Sequence, residues 1–212
     1  MTHRILVLGG TGPTGRLVVS QALAQGHTVT AFARRPERLA LVHERLTTVA
    51  GDAAGDADSV ARALRGHDVV ISALGRGLRL ASDHLMERCV TNIVPAMERL
   101  GPPRLIYLSA FGVGDSIRFA PWYMRLQFRV MLGSIYGDKV KGEAILRRSG
   151  LEWTLVSPVI LTNRPEIQPY TAAEELPVRG MPMLSRASVA EYMLKCVDDR
   201  GTVRKRMLVG PA

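Results

Sequence analysis

The residues whose types and spacing can do chemistry begin at the ninth position. Gly9, Gly10, Gly12 and Gly15 satisfy both Gly-x-x-Gly-x-x-Gly and Gly-x-Gly-x-x-Gly. Before them, Ile5 to Leu8 is a continuous apolar, partly β-branched run that suits a parallel strand buried on both faces. After them, Leu17-Val-Val-Ser-Gln-Ala-Leu-Ala repeats at helical spacing. A glycine turn between strand and helix lets a pyrophosphate approach bare backbone at the positive end of the helix dipole. Gly9, Gly10, Thr11, Gly12, Pro13, Thr14 and Gly15 are therefore a candidate dinucleotide cradle.

A second chemical signal follows the next strand, His27 to Ala33, in the run Ala33-Arg34-Arg35-Pro36. A carboxylate at this strand end would bond a ribose 2′-hydroxyl, whereas arginines accept a 2′-phosphate. The first carboxylate here is Glu37, beyond the tip. NADP(H) is expected in preference to NAD(H), with Arg34 and Arg35 on the extra phosphate.

The elements that must position these groups can be read in order. Arg45 to Ala50 is a short strand ending at Gly51-Asp52, and Asp58 to Leu64 a crossover helix. His67 to Gly75 is a strand with a glycine exit, and a helix runs from about Asp83 to Leu100, interrupted by Pro95. Arg104 to Ser109 is the fifth strand. Strands alternating with helices at these intervals predict an α/β fold, a Rossmann-type doubly wound parallel sheet. Ligands of such sheets collect outside the carboxyl ends of the strands. Asp52, Ser72, Ala73, Leu74, Gly75 and Ser109 all fall at such ends, so they are expected to converge with the glycines and arginines on one crevice.

The 212 residues, 47% hydrophobic and 22% charged, suffice for one domain over 1–212 with a small C-terminal substrate lobe. Cys89 and Cys196 lack paired spacing, and His3, His27, His43, His67 and His84 are dispersed, so neither a disulfide framework nor a metal site is expected. The net charge of +9 raises nucleic-acid binding. The arginines, however, are scattered in pairs such as Arg34/Arg35 and Arg147/Arg148 without an interleaved aromatic platform, and no nucleic-acid partner is expected. Met1 to Arg4 is too short for a signal peptide, and no apolar run approaches the roughly 18 residues of a membrane span. A cytoplasmic, membrane-free protein is the expectation.

Several segments together resemble a known family: Gly-Gly-Thr-Gly-Pro-Thr-Gly, the Arg-Arg-Pro-Glu-Arg-Leu after the second strand, Ala-Gly-Asp, Val-Val-Ile-Ser-Ala-Leu-Gly, Leu-Ser-Ala-Phe-Gly, and Ile135 through Pro158. The chain is similar over nearly its whole length to the atypical short-chain dehydrogenase/reductase group. Relatives there include NmrA-like proteins and the biliverdin-IXβ/flavin reductase. The resemblance implies a Rossmann domain and NAD(P)H, and is less specific for reaction, because the group mixes reductases, isomerases and cofactor sensors.

Orthodox members of that family use Tyr-x-x-x-Lys, lysine lowering the phenol pKa and tyrosine passing the proton. Here Tyr136 and Lys139 are three apart, and aligning Lys139 on the family lysine leaves Ile135 in the tyrosine slot. Tyr136 could still approach, because i and i+3 share nearly one helix face. Lys139 is implied to bind ribose hydroxyls, against a surface i,i+4 pair with Glu143. Ser109 would bond a substrate carbonyl or the nicotinamide amide, against a serine capping backbone. Ser109, Lys139 and Tyr136 are the candidate catalytic residues. The flavin/biliverdin reductase relatives carry histidine after the proline of strand six; here Val159 follows Pro158, which argues against biliverdin, though Pro158, Val159 and Ile160 could still line the nicotinamide pocket.

Without an obvious acid, the chemistry that fits is hydride delivery to a small flavin- or quinone-like acceptor, since a free carbonyl needs its alkoxide protonated. The expectation is an NADPH-dependent reductase. The alternative is a non-enzymatic NADP(H) sensor that binds another protein. A sugar-nucleotide epimerase ranks third, since its chemistry normally needs the missing tyrosine. Residues 114–134, with Phe119, Trp122 and Phe128, are expected to form a lid or subunit contact, a homodimer being one arrangement. Residues 160–184, with Pro165, Pro169, Pro177 and Pro182, are expected to be substrate-side loops with a short strand around Leu176 to Arg179. Ser185 should cap a helix through Asp198, and Met207 to Gly210 should form a last strand.

Overall fold

The computed structural model describes residues 1–75, 84–121, 125, 133–178 and 180–212. Its strands are β1 (Arg4–Leu8), β2 (Thr28–Ala33), β3 (Leu46–Ala50), β4 (Val69–Ser72), β5 (Arg104–Leu108), β6 (Glu152–Pro158), β7 (Ile160–Thr162), β8 (Tyr170–Ala173), β9 (Met183–Ser185) and β10 (Lys205–Pro211). The helices are α1 (Pro13–Ala24), α2 (Ala57–Leu64), α3 (Leu85–Leu100), α4 (Gly133–Arg148) and α5 (Arg186–Asp198). An eight-stranded sheet has the order β3-β2-β1-β4-β5-β6-β10-β8, parallel except for β8 at its edge, and β7 and β9 form a small parallel pair. This is the doubly wound Rossmann-type architecture the sequence predicts, with the order reversing at β1.

The strand residues explain the layers. Along β1, Ile5 and Val7 pack with α1 and α5, while Leu6 and Leu8 pack with α2, α3 and α4. Both faces are covered, so the strand is apolar at every position from Ile5 onward. The same alternation holds at β5, where Ile106 and Leu108 face one core and Leu105 and Tyr107 the other.

The helix starts are chemically distinct. Asp56 caps α2 by accepting the Ser59 N–H at 2.9 Å, and Ser185 caps α5 by accepting the Ser188 N–H at 3.1 Å, as its position predicts. The first turn of α3 is capped from another element: Asp138 on α4 accepts the N–H groups of Met86 at 3.0 Å and Glu87 at 2.9 Å. α1 begins at Gly12 with Pro13 in its first turn and no side-chain cap, which leaves its positive end toward the carboxyl edge of the sheet.

Two expectations need correction, and two others fall on residues outside the described ones. Pro95 does not interrupt α3, which runs unbroken through it, its flanks Ile93, Val94, Ala96 and Met97 being buried firmly enough to absorb the lost backbone bond. No strand occupies Leu176 to Val178, where Pro177 offers no N–H to a ladder; Arg179 lies outside the described residues. Pairing in that region instead uses β8, which joins the main sheet against β10, and β9. The expected lid falls largely outside the described residues, Trp122 and Phe128 included, although Gly114–Phe119 is a short 3-10 helix. The expected start of α3 at Asp83 is also outside them. Among the described residues no helix is long and apolar enough to cross a membrane.

Candidate functional site

The glycine turn after β1 is required by close approaches. Gly9 has φ +80°, and a Cβ there would lie 3.0 Å from the Ala73 carbonyl oxygen at the exit of β4. A Cβ at Gly15 would stand 2.2 Å from the carbonyl oxygen of Gly9, and one at Gly10 would stand 2.9 Å from the Ala31 side chain on β2. Gly12 donates its N–H to the Gly9 carbonyl at 3.0 Å, closing the turn. The glycines thus draw α1 onto the strand end and keep the loop free of side chains.

Around this turn lies a crevice of about 820 Å³, partly open to solvent. Gly9, Thr11 and Gly12 form one wall, and Ala73, Leu74 and Gly75 after β4 another. Arg34, Arg35 and Arg38 line the end beyond β2, with Gly51, Asp52 and Ala53 from the end of β3. Leu85 and Cys89 of α3 close it. A Cβ at Gly51 would meet the Phe32 ring at 2.3 Å, so the bare backbone there makes room for that buried ring. Arg16 ties the glycine loop to the arginine loop, donating from Nε to the Thr11 carbonyl at 2.9 Å and from Nη2 to the Arg38 carbonyl at 2.5 Å. Among the described residues, Arg34, Arg35 and Arg38 have no carboxylate within ion-pair distance, and Arg34 and Arg35 are exposed.

Of the expected cofactor residues, Gly9, Thr11, Gly12, Arg34, Arg35, Asp52, Ala73, Leu74 and Gly75 line this crevice together. Gly10, Pro13, Thr14, Gly15 and Ser72 do not line it. Ser72 is buried with its hydroxyl unpartnered among the described residues, and Asp52 Oδ1 accepts the Ala54 N–H at 3.1 Å. Phe32, Arg38, Gly51, Leu85 and Cys89 are lining residues the sequence reading passed over. Arg38 had a signal, four residues beyond Arg34 in a short basic run. Burial pushes the Cys89 thiol up to about 12, so it contributes an apolar wall and no thiolate.

A second cluster stands at the exits of β5 and β6 and is reached by a side chain from the start of β10. Ser109 donates its hydroxyl to Oε1 of Glu143 on α4, and the other Glu143 oxygen pairs with the guanidinium of Arg206 on β10. Arg206 also donates to the Ser157 hydroxyl on β6 at 2.8 Å. Both charged side chains are buried, 8% and 4% exposed for Arg206 and Glu143. Glu143 is therefore not the surface partner of Lys139 that i,i+4 spacing admits. Lys139 makes no hydrogen bond among the described residues. Burial draws its ammonium below the ordinary lysine range, against the opposing pull of Glu143 and Asp138. Tyr136 donates its hydroxyl to the Phe111 carbonyl at 3.1 Å, and burial pushes its phenol up to about 12.

Ser109 and Tyr136 thus stand at the exit of β5, Lys139 lies on the same helix as Tyr136, and none of the three lines the crevice. Nor do Pro158, Val159 and Ile160 line it: Pro158 accepts the Phe111 N–H at 2.8 Å, Val159 donates to Val209 at 3.0 Å, and Ile160 is 38% exposed. One grouping of ligand-type side chains occurs among the described residues, His84, Glu87 and Asp138. Asp138 is occupied in capping α3, and Glu87 pairs with Lys141 at 3.4 Å.

Comparison with known proteins gives a consistent setting. A photosystem II assembly factor of Synechocystis is 33% identical over 111 residues, half of this chain but a third of that protein. An uncharacterised sugar epimerase of Bacillus subtilis is 26% identical over 206 residues, covering 94% of this chain and 90% of its own. Among solved structures, a short-chain dehydrogenase/reductase of Veillonella parvula in complex with NADP superposes with a TM-score of 0.81 at 21% identity, over 98% of this chain and 94% of that one. ChuY of Escherichia coli O157:H7, an anaerobilin reductase, superposes with a TM-score of 0.79 at 23% identity, over 97% and 96%. The family described as NAD(P)H-binding matches residues 9–200, which begin on the first glycine of the turn and take in the crevice together with Ser109, Glu143 and Ser157. This chain belongs to that NAD(P)H-binding family.

Proposed function

We propose that this protein is an NADP(H)-preferring reductase that passes hydride to a small flavin- or quinone-like acceptor. The observation that carries the cofactor preference is the set of three arginines, Arg34, Arg35 and Arg38, that line one end of the crevice and have no carboxylate in ion-pair contact among the described residues. A 2′-phosphate is the group whose charge and size match that end. The glycine turn fits a dinucleotide, since at Gly9 and Gly15 a Cβ would occupy space the backbone itself uses. Reduced nicotinamide, when bound, supplies the hydride.

The chain's own residues divide the work. The turn at Gly9 to Gly15 and the start of α1 hold the pyrophosphate, Ala73 to Gly75 flank it, and the β5 exit with Ser109 and Lys139 receives the nicotinamide end. Tyr136 keeps its proton on the Phe111 carbonyl with a raised pKa, making it a poor acid at neutral pH. An acceptor whose reduced form needs no enzyme acid suits such a site. That same commitment of Tyr136 favours a second reading, an NADP(H) sensor that binds without turnover.

The test is loss of NADPH absorbance in the near ultraviolet with FMN, riboflavin, menadione and simple aldehydes as acceptors. NADH and the Arg34→Ala/Arg35→Ala variant are the controls. The reductase reading expects turnover with a flavin or quinone, and losing charge-assisted bonds to the 2′-phosphate should weaken NADPH at least about tenfold while leaving NADH nearly unchanged. Calorimetric binding of NADPH with no acceptor reduced would put the sensor first, and equal affinity for NADH and NADPH would overturn the cofactor assignment.

A further inference from the structure

The cluster at the β5 exit fixes the direction of one hydrogen bond. A serine hydroxyl has a single proton and can accept as well as donate. Ser109 spends that proton on Glu143. Glu143 cannot return it, because its other oxygen is held by the guanidinium of Arg206, and a carboxylate paired with arginine is an acceptor only. Arg206 is itself anchored by the Ser157 hydroxyl. Side chains from α4, β6 and β10 thus converge to leave Ser109 with lone pairs alone for a ligand. A buried ion pair is costly to desolvate and is weak as a general source of stability, so its placement against this one hydroxyl calls for a use.

We propose that Glu143, clamped by Arg206, is a positioning residue that makes Ser109 an obligate hydrogen-bond acceptor, and that the group Ser109 receives is the N–H of the nicotinamide carboxamide and not a substrate carbonyl. This rests on the NADP(H) reading above. Ser109 follows β5, which pairs with β4, and the exit of β4 lines the crevice, so Ser109, 5% exposed, lies one strand away from that lining. The carboxamide carries two N–H donors; a substrate carbonyl or a nascent alkoxide carries only acceptors and would meet the lone pairs of Ser109 with repulsion. Specificity for the amide is the consequence, because a site with a fixed acceptor disfavours an analogue without the donor.

The experiment compares calorimetric binding of NADP⁺ with that of its 3-acetylpyridine analogue, in which a methyl replaces the amide nitrogen. Binding alone is read, so the outcome does not depend on turnover. The intact protein is expected to prefer NADP⁺ by about fivefold, the worth of one net hydrogen bond. Ser109→Ala removes only the hydroxyl and should bring the ratio close to one. Glu143→Gln is the sharper variant: Arg206 can only donate, so the new amide must turn its oxygen to Arg206 and its nitrogen to Ser109. The serine proton is then released outward, and the preference should vanish although the hydroxyl remains. If Glu143 merely braces the fold, Glu143→Gln lowers the melting temperature and leaves the ratio unchanged. An unchanged ratio in Ser109→Ala, which keeps the inference testable should Glu143→Gln not fold, would overturn it. Failure of the intact protein to bind either nucleotide would instead overturn the NADP(H) reading and this inference with it.

Discussion

Arg34, Arg35 and Arg38 carry the same guanidinium as Arg206 in an opposite setting. The first three line an open crevice with no carboxylate partner among the described residues, whereas Arg206 is sealed between Glu143 and Ser157. Exposed arginine costs little to keep ready, since water solvates it until an anion arrives. Buried arginine is committed at folding and cannot be redirected. The contrast separates a half of the molecule whose crevice arginines stay open to an outside anion from a half in which one buried ion pair is already matched and holds one hydroxyl.

Removing one partner of the sealed pair should give the largest effect. Arg206→Met leaves Glu143 buried without its counter-ion, which is expected to cost about 3–5 kcal/mol in urea unfolding. Arg38→Ala, on the crevice rim, should stay within about 0.5 kcal/mol of the parent. Similar losses for the two would dissolve the contrast. A smaller effect is expected within the crevice wall. Gly15→Ala drives a methyl into the Gly9 carbonyl, and relaxing that overlap should cost about 1–3 kcal/mol together with NADPH affinity. At Gly12, which lines the crevice, the nearest atom to a Cβ is the Gly9 carbonyl oxygen at 3.3 Å, an approach that a small shift relieves, so Gly12→Ala should weaken NADPH while lowering the melting temperature less than Gly15→Ala does. Calorimetry and thermal melts on both variants separate glycine as packing from glycine as binding surface.

The two halves also differ in how far they could be read from sequence. The glycine turn and the arginine tip are contiguous runs, and the backbone that lines the crevice is the backbone that carries the pattern. The gathering of Gly9, Thr11, Gly12, Arg34 and Arg35 on one crevice was therefore legible, as was the doubly wound parallel sheet. The Ser109 cluster draws on β5, α4, β6 and β10, and no local spacing joins Ser109, Glu143, Ser157 and Arg206. Glu143 has the spacing of a surface partner for Lys139, and helical period alone does not say which face a second element covers. Arg206 sits in the run Arg204-Lys205-Arg206, which reads as solvated until strand pairing turns that side chain inward. The strand expected near Leu176 fails for the same reason, since edge pairing is chosen by what β10 leaves open, and Tyr170 to Ala173 takes that place.

Asp138 links the two halves, and a modest effect is expected there. Asp138 belongs to α4, the helix of Glu143, yet its carboxylate accepts the N–H groups of Met86 and Glu87 in the first turn of α3, where Leu85 lines the nucleotide crevice. Asp138→Ala removes a cap and should cost about 1 kcal/mol of stability. Because the cap also holds Leu85 at the crevice, NADPH affinity should fall by a few-fold, whereas the preference for NADP⁺ over its acetyl analogue should be unchanged, Ser109 and Glu143 being untouched. Unfolding in urea and calorimetric titration of the same variant read both quantities. A lost cofactor preference in Asp138→Ala would mean that the halves are mechanically one, and the division between a recruiting crevice and a prearranged hydroxyl would have to be withdrawn.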